Sequence, residues 1–314
     1  MLKLIGRRVL ALIPLLFMVS LIVFLLVSII PGDPAVTLAG ENASESRVAT
    51  IREGLGLNDP LIQQYTSFIG RLVRLDLGTS LFSSSEVLEL IKQRAPATIS
   101  LTLGALLFAV VVGIPAGLIA GARRGKPVDR IVMLGATSGV ALPSYFLAIL
   151  FILFFAVQRS WFPATGYVPP SDGLVEWLKS ITLPAIALGT NGAALISRQL
   201  RSSLVDVLQQ DYIRTARAKG LRGRTVVLKH AFKNSAGPMI TVLGIQVAYL
   251  LGGTVVIEYI FGIAGLGQLA YSAVIQKDVP LIQGIVMVMA LAVVAVNLLI
   301  DVTYAYLDPK VRSR

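Results

Sequence analysis

The chain alternates between long runs without charge and shorter segments that hold nearly all of it. Six runs lack Asp, Glu, Lys, Arg and His altogether: Val9–Ile30, Thr98–Gly121, Ile131–Val157, Ile181–Ser197, Gly237–Ile257 and Leu281–Ile300. About 20 residues of helix cross a hydrocarbon core of about 30 Å, with a lower limit near 17. Backbone polar groups in lipid must find partners within the segment, so runs of this length are predicted to be helices. The alternative is six helices buried in a soluble core. It would require six helices without the polar face that soluble helices carry. The pattern therefore predicts an all-α polytopic membrane protein with six transmembrane helices. The first run follows Lys3, Arg7 and Arg8 as a signal peptide would. Its 22 apolar residues exceed the usual 7–15 or so, and no A-x-A site follows directly, so it reads as a retained span.

Composition sharpens this picture. The 314 residues are 55% hydrophobic and 14% charged, with a mean hydropathy of +0.78. A soluble domain is about a quarter charged. No Cys is present and only one His. That removes disulfides, thiolate chemistry and Cys-based metal sites, and leaves no basis for a His metal site or a Ser/His triad. No catalytic residue and no metal ligand is expected.

Charge also orients the chain. Segments 1–8, 122–130, 198–236 and the tail after Ile300 fall on one side. They hold 19 of the 28 Lys and Arg. Segments 31–97, 158–180 and 258–280 fall on the other and hold 12 of the 17 acids. The positive-inside rule makes the first side cytoplasmic, with both termini inside. Three regions follow. Residues 1–30 are the cytoplasmic N-terminus and first span. Residues 31–97 are an outer segment between spans one and two. Residues 98–314 hold the remaining spans, with a cytoplasmic loop at 201–236. Within the outer segment, Ile62, Tyr65, Phe68, Ile69 and Leu72 have helical spacing, which predicts short helices on the outer surface. "IIPGDPA" at Ile29–Ala35 stops the first helix.

The search for chemistry narrows the function. "GARRGKP" at Gly121–Pro127 is the nearest approach to a phosphate-binding loop. It has three residues between its glycines where four are needed, and Pro127 where a hydroxyl is needed. The chain is not expected to hydrolyse ATP. Ion-coupled carriers place ionisable groups within the membrane, and the six runs have none. Glu258 and Asp301 lie near span ends and read as interfacial residues. Asn191, Gln246, Tyr249 and Asn297 are the polar positions inside. They either bond helix to helix or line a solute path. Gly244, Gly252 and Gly253 favour close helix packing, and Pro143 is predicted to kink the third span.

The densest charge lies at Asp211–Asn234, "DYIRTARAKGLRGRTVVLKHAFKN". It holds seven Lys and Arg and the one His. Leu200, Leu204, Leu208, Tyr212 and Ala216 recur at i, i+4, so the fourth helix is expected to continue past the membrane. Gly220 is placed to close it in a left-handed conformation. Thr225 could cap a second short helix, and Pro238 fits near the start of the fifth span. Three functions compete for this loop. Nucleic-acid binding lacks a base-reading motif. Lipid-headgroup attraction explains the charge but not the Gly and Ala spacing. Docking to a cytoplasmic protein explains both.

The loop resembles the cytoplasmic motif of bacterial ABC importer permeases: E-A-A-x-x-x-G, nine variable residues, then I-x-L-P. Gly220 takes the glycine and Ala216 the second alanine. Thr215 and Arg214 stand where the first alanine and the glutamate stand. His230, Phe232 and Lys233 stand at the I, L and P positions. "DYIRTARAKG" with "KHAFKN" is similar in particular to the dipeptide/oligopeptide and glutathione importer permeases. The resemblance continues through "IIPGDPA", "LGLNDPLIQQY", "LPSYF" and "LLGGTVVIEYIFGIAGLGQL" to "DVTYAYLDPKVR".

What the resemblance implies is the ABC type I importer permease architecture with a periplasmic insertion between helices 1 and 2, in the bacterial inner membrane. Tyr212, Arg214, Thr215, Ala216, Arg217, Ala218, Lys219, Gly220, His230, Phe232 and Asn234 would form the loop that an ATPase subunit engages. ATP and Mg²⁺ would sit on two cytoplasmic ATP-binding subunits, with no cofactor on this chain. A second permease subunit and a periplasmic or lipid-anchored binding protein would complete the assembly, with membrane lipid around it and no nucleic acid. Solutes would be di- or oligopeptides or glutathione-like compounds. A self-contained channel or secondary carrier is the competing function, and a membrane anchor without a solute path is a third.

Overall fold

A computed structural model of the chain describes residues 13–25, 33–40 and 43–307, the last seven as backbone alone. The described residues form helices joined by turns and hold no strand, only an isolated bridge between Thr79 and Glu86. In order they are α1 (Ile13–Leu25), α2 (Pro34–Ala39), α3 (Glu45–Gly54), α4 (Leu61–Val73) and α5 (Val87–Ala122). Then come α6 (Pro127–Ala141), α7 (Ser144–Phe151) with a π-helical continuation (Ile152–Gln158), α8 (Leu174–Val207) and α9 (Asp211–Ala218). The series closes with α10 (Gly223–Ile260), α11 (Leu266–Gln276) and α12 (Val279–Leu307).

Four helices are long and apolar enough to cross a membrane: α5, α8, α10 and Val279–Ile300 of α12. The α6–α7 pair passes the same test together but is bent by 100°, as in a broken span or a re-entrant loop. The sequence predicts a kink at Pro143; the bend is a full break. Pro143 has no N–H to continue α6, and its carbonyl instead starts α7 by accepting from Phe146 and Leu147. Leu142 is extended, as a residue before proline prefers. The first uncharged run is described over Ile13–Leu25. The N-terminal segment, the start of the first run, Pro31 of the predicted stop and the end of the tail lie outside the described residues.

The helices outrun the uncharged segments. α5 begins at Val87 and α8 at Leu174, well before Thr98 and Ile181. Charged residues such as Glu89, Lys92 and Glu176 are compatible with helix once the chain has left the lipid. Absence of charge therefore measures hydrocarbon thickness, and helix length is a separate quantity.

The chain divides into two units. One holds 97–263 and the described residues from Val296 onward. Its core follows α8, whose membrane window is 72% buried against 28–39% for the other three long helices. Leu183 and Leu188 pack with Leu101, Leu250 and Phe261; Ile196 and Leu200 pack with Ala109, Met239 and Ile240. α5 meets α8 along glycines. A β-carbon on Gly113 would come 2.8 Å from the carbonyl oxygen of Ala193, and one on Gly117 2.8 Å from that of Ser197. Of the glycines singled out in the sequence, Gly244 and Gly253 face Ile300 and Leu188, while Gly252 faces open space. Glu258 is fully buried and accepts the Thr98 hydroxyl at 2.6 Å. It is thus enclosed by protein near the end of its span.

The other unit holds the described residues before Ala97 together with 264–295. Short helices do form in the outer segment. Phe68 of α4 is buried with Val23, Phe24 and Met287, and Tyr65, Ile69 and Leu72 pack on that cluster, while Ile62 is exposed. Buried Asp278 fastens the 80–86 turn by accepting from the Ser80 hydroxyl at 2.5 Å and the Leu81 N–H at 3.1 Å.

Candidate functional site

The 201–236 loop is built from three helix ends. The i, i+4 series from Leu200 to Ala216 predicts one continuous helix; instead α8 stops at Val207 and the chain turns through Leu208–Gln210 before α9. Backbone bonds from Leu208 to Leu204 and from Gln210 to Val207 close the turn. Three of the periodic residues, Leu204, Leu208 and Ala216, still share a cluster, while Leu200 packs in another and Tyr212 is exposed. Ile213 and Ala216 are buried against Leu204, Val226 and Ala231, with Leu208 alongside. The spacing thus reports a common apolar face, and α9 folds back onto the elements beside it.

Gly220 has φ +77°, the left-handed conformation that the sequence predicts. The Gly220 N–H donates to the Arg217 carbonyl at 2.9 Å and the Leu221 N–H to that of Ala216 at 3.3 Å, which closes the C-terminus of α9. After the turn the chain re-enters helix at Gly223, so Thr225 lies inside the helix and caps nothing. Gly223–Ile260 is one continuous helix, with a π-helical stretch at Val226–Ala231. Pro238 therefore sits within α10, and no span starts there.

The predicted loop residues separate into two groups. Ala216 is buried, and His230 and Phe232 are half-buried, Phe232 against the core of its unit. Tyr212, Arg214, Thr215, Arg217, Ala218, Lys219, Gly220 and Asn234 are exposed. Asn234 donates to the Tyr212 hydroxyl at 2.7 Å and to the His230 carbonyl at 3.3 Å, tying α9 to α10. Arg214 lies 3.3 Å from Asp211, a solvent-exposed pair of little energetic weight. A glycine β-carbon at position 220 would meet nothing within 4 Å, so the space outside the cap is open.

Sequence reasoning missed an ion pair that braces this region. Asp129, at the start of α6, accepts two bonds from Arg201 of α8 at 2.6 and 2.7 Å and a third from the Gly125 N–H at 2.8 Å. The two charges are 72 residues apart, and no local spacing links them. The Gly125 N–H is thereby committed within the chain, as a basic turn between α5 and α6.

Asn191, Gln246, Tyr249 and Asn297 all lie in the same unit. Gln246 is buried, and its Oε1 has no hydrogen-bond partner among the described residues. A β-carbon on Gly192 would lie 3.5 Å from that oxygen, which sets Gln246 beside the α8 turn that carries half-buried Asn191. Asn297 adjoins Gly244, two residues before Gln246 and so on nearly the opposite face of α10. Tyr249 is half exposed. No hydrogen bond joins these four among the described residues. The structure thus sets Gln246 beside the α8 turn of Asn191 and places Asn297 and Tyr249 elsewhere around α10.

Comparison with known proteins bears on the whole chain. Residues 113–313 match the family described as "Binding-protein-dependent transport system inner membrane component", and residues 1–102 match the N-terminal region of such membrane components. A putative peptide transport system permease protein of Brucella abortus is 41% identical over 312 residues, covering 99% of each chain. The glutathione transport system permease protein GsiC of Escherichia coli is 40% identical over 314 residues, covering both chains fully. Among solved structures, an inward-facing form of the MetNI methionine ABC transporter superposes with a TM-score of 0.56 at 17% identity. The match covers 70% of this chain and 97% of that one.

Proposed function

We propose a working role for this chain, which belongs to the family of binding-protein-dependent transport system inner membrane components. It acts as one of two permease subunits of an importer for di- or oligopeptides or glutathione-like solutes. A binding protein delivers the solute from outside, and ATP with Mg²⁺ is used on two separate cytoplasmic subunits. The names of its relatives, peptide and glutathione permeases at about 40% identity, support that solute class. The charge asymmetry of the connecting segments supports six spans, α1, α5, α6–α7, α8, α10 and α12, with both termini inside and residues 31–97 outside.

The observation that carries the mechanism is the seat of α9. Its exposed face, with Arg214, Arg217 and Lys219, is free to meet a partner, while Ile213 and Ala216 hold it on the end of α8 and the start of α10. Those two helices also carry Asn191, Gln246 and Tyr249. A push on α9 by an ATPase subunit passes into α8 through Leu204 and into α10 through Val226. α10 is one helix from that point to Gln246, passing through the π-helical stretch and Pro238, so displacement at its cytoplasmic start is carried along it toward that residue. Oriented helix ends moving as units are the expected means of switching a permease between inward- and outward-facing forms.

The test is peptide uptake into proteoliposomes. With both permeases, the ATPase subunits and the binding protein present, uptake requires ATP. The purified chain alone shows neither uptake nor ATP turnover. ATP hydrolysis by the chain alone, or gradient-driven uptake without the ATPase subunits, overturns this role in favour of a self-contained carrier.

A further inference from the structure

The π-helical end of α7 carries a cluster that the coupling route does not use. The rings of Phe154 and Phe155 meet edge to face at 5.1 Å, and Trp161 lies 6.0 Å from Phe155. The Arg159 guanidinium carbon sits 5.4 Å from the Phe154 ring centre and 5.5 Å from that of Trp161. The cation thus lies over two aromatic rings. Among the described residues no carboxylate lies within ion-pair distance of it. Beside it runs a groove of about 320 Å³ lined by Leu150, Phe151, Leu153, Phe154, Phe155 and Gln158. Leu153, Phe154 and Trp161 are each about half exposed.

These features suit one ligand chemistry. A guanidinium fork matches a phosphate oxygen pair, and Trp favours the headgroup level of a bilayer. An apolar groove next to that fork suits a hydrocarbon chain. The cation lies at the end of an apolar helix, where a lone charge faces headgroups and a fully apolar rim would not. We infer that Arg159, Phe154, Trp161 and the adjoining groove bind one phospholipid, with its phosphate in the plane of the guanidinium and an acyl chain along the groove. The inference rests on the membrane role of the family.

The assembled transporter in nanodiscs of phosphatidylethanolamine and phosphatidylglycerol provides the test. The probe is phosphatidylglycerol bearing a photoreactive group in its acyl chain, with the labelled peptide mapped by mass spectrometry. Labelling is expected between Leu150 and Trp161. Arg159→Gln should lower it about fivefold, the effect of one basic residue at a lipid surface. Leu153→Trp, which fills the groove and keeps the charge, should lower it too, and Lys179→Gln should leave it unchanged. Labelling indifferent to Arg159→Gln overturns the site, and so does cross-linking of this surface to the second permease in place of lipid. Peptide uptake is read in the same preparations. Uptake without Arg159-dependent labelling refutes the lipid site and leaves the transport role intact; labelling without uptake does the reverse.

Discussion

Gly220 illustrates how a single residue decides the shape of the loop. Its left-handed backbone costs an ordinary residue about 1–2 kcal/mol, and Asn bears the conformation best among them. No atom lies where its side chain would be, so the penalty is purely conformational within this chain. Gly220→Asn should keep most ATP-dependent uptake. Gly220→Val should lose most of it while the protein remains in the membrane, as read by uptake and membrane yield in parallel. Gln246 poses the opposite case: a buried oxygen without a donor carries a desolvation cost of about 1–3 kcal/mol. Gln246→Leu should leave thermal stability unchanged or raise it, and should slow uptake if the oxygen serves the solute. A less stable variant would mean that Oε1 has a structural partner after all.

At the scale of elements, packing of α5 on α8 depends on the absence of side chains. A methyl group at Gly117 would overlap the Ser197 carbonyl and must push the helices apart, an overpacking cost of about 1–3 kcal/mol. Gly135 of α6 has open space around it, and there Ala gains about 1 kcal/mol of helix propensity. Gly117→Ala should therefore lower the unfolding temperature in detergent, and Gly135→Ala should hold or raise it. The sequence contains this stripe at Gly113, Gly117 and Gly121, yet nothing in it says which helix the glycines face. The bend at Pro143 was legible as a break in hydrogen bonding, but its size depends on what the two halves pack against. α11 lies in a segment where no periodic pattern announced it. The left-handed Gly220 was legible because a cap is a local matter of backbone chemistry. The stop at Val207 was not, because Leu208 and Tyr212 keep the apolar spacing across the turn.

At the scale of the molecule, four of the charge-free runs coincide with helices long and apolar enough to cross a membrane, because lipid excludes charge whatever the tertiary contacts. The contact on which the proposed route from α9 rests was not legible, because it depends on Ile213 and Val226 meeting across a turn. Orientation can be tested on this chain directly, since it has no native cysteine. Ser83→Cys and Ser171→Cys should react with a membrane-impermeant maleimide from outside intact cells. Lys219→Cys should react only after the membrane is opened.

Cysteine cross-linking tests most directly whether α9 is the element on which an ATPase acts. Arg217→Cys on the exposed face of α9 is paired with single cysteines in the ATPase subunit, and ATP-dependent peptide uptake is followed in the same proteoliposomes. The expected result is a cross-link through position 217 that stops uptake, with uptake restored on reduction. Full uptake with position 217 cross-linked, or no cross-link to the ATPase subunit in any nucleotide state, would contradict it.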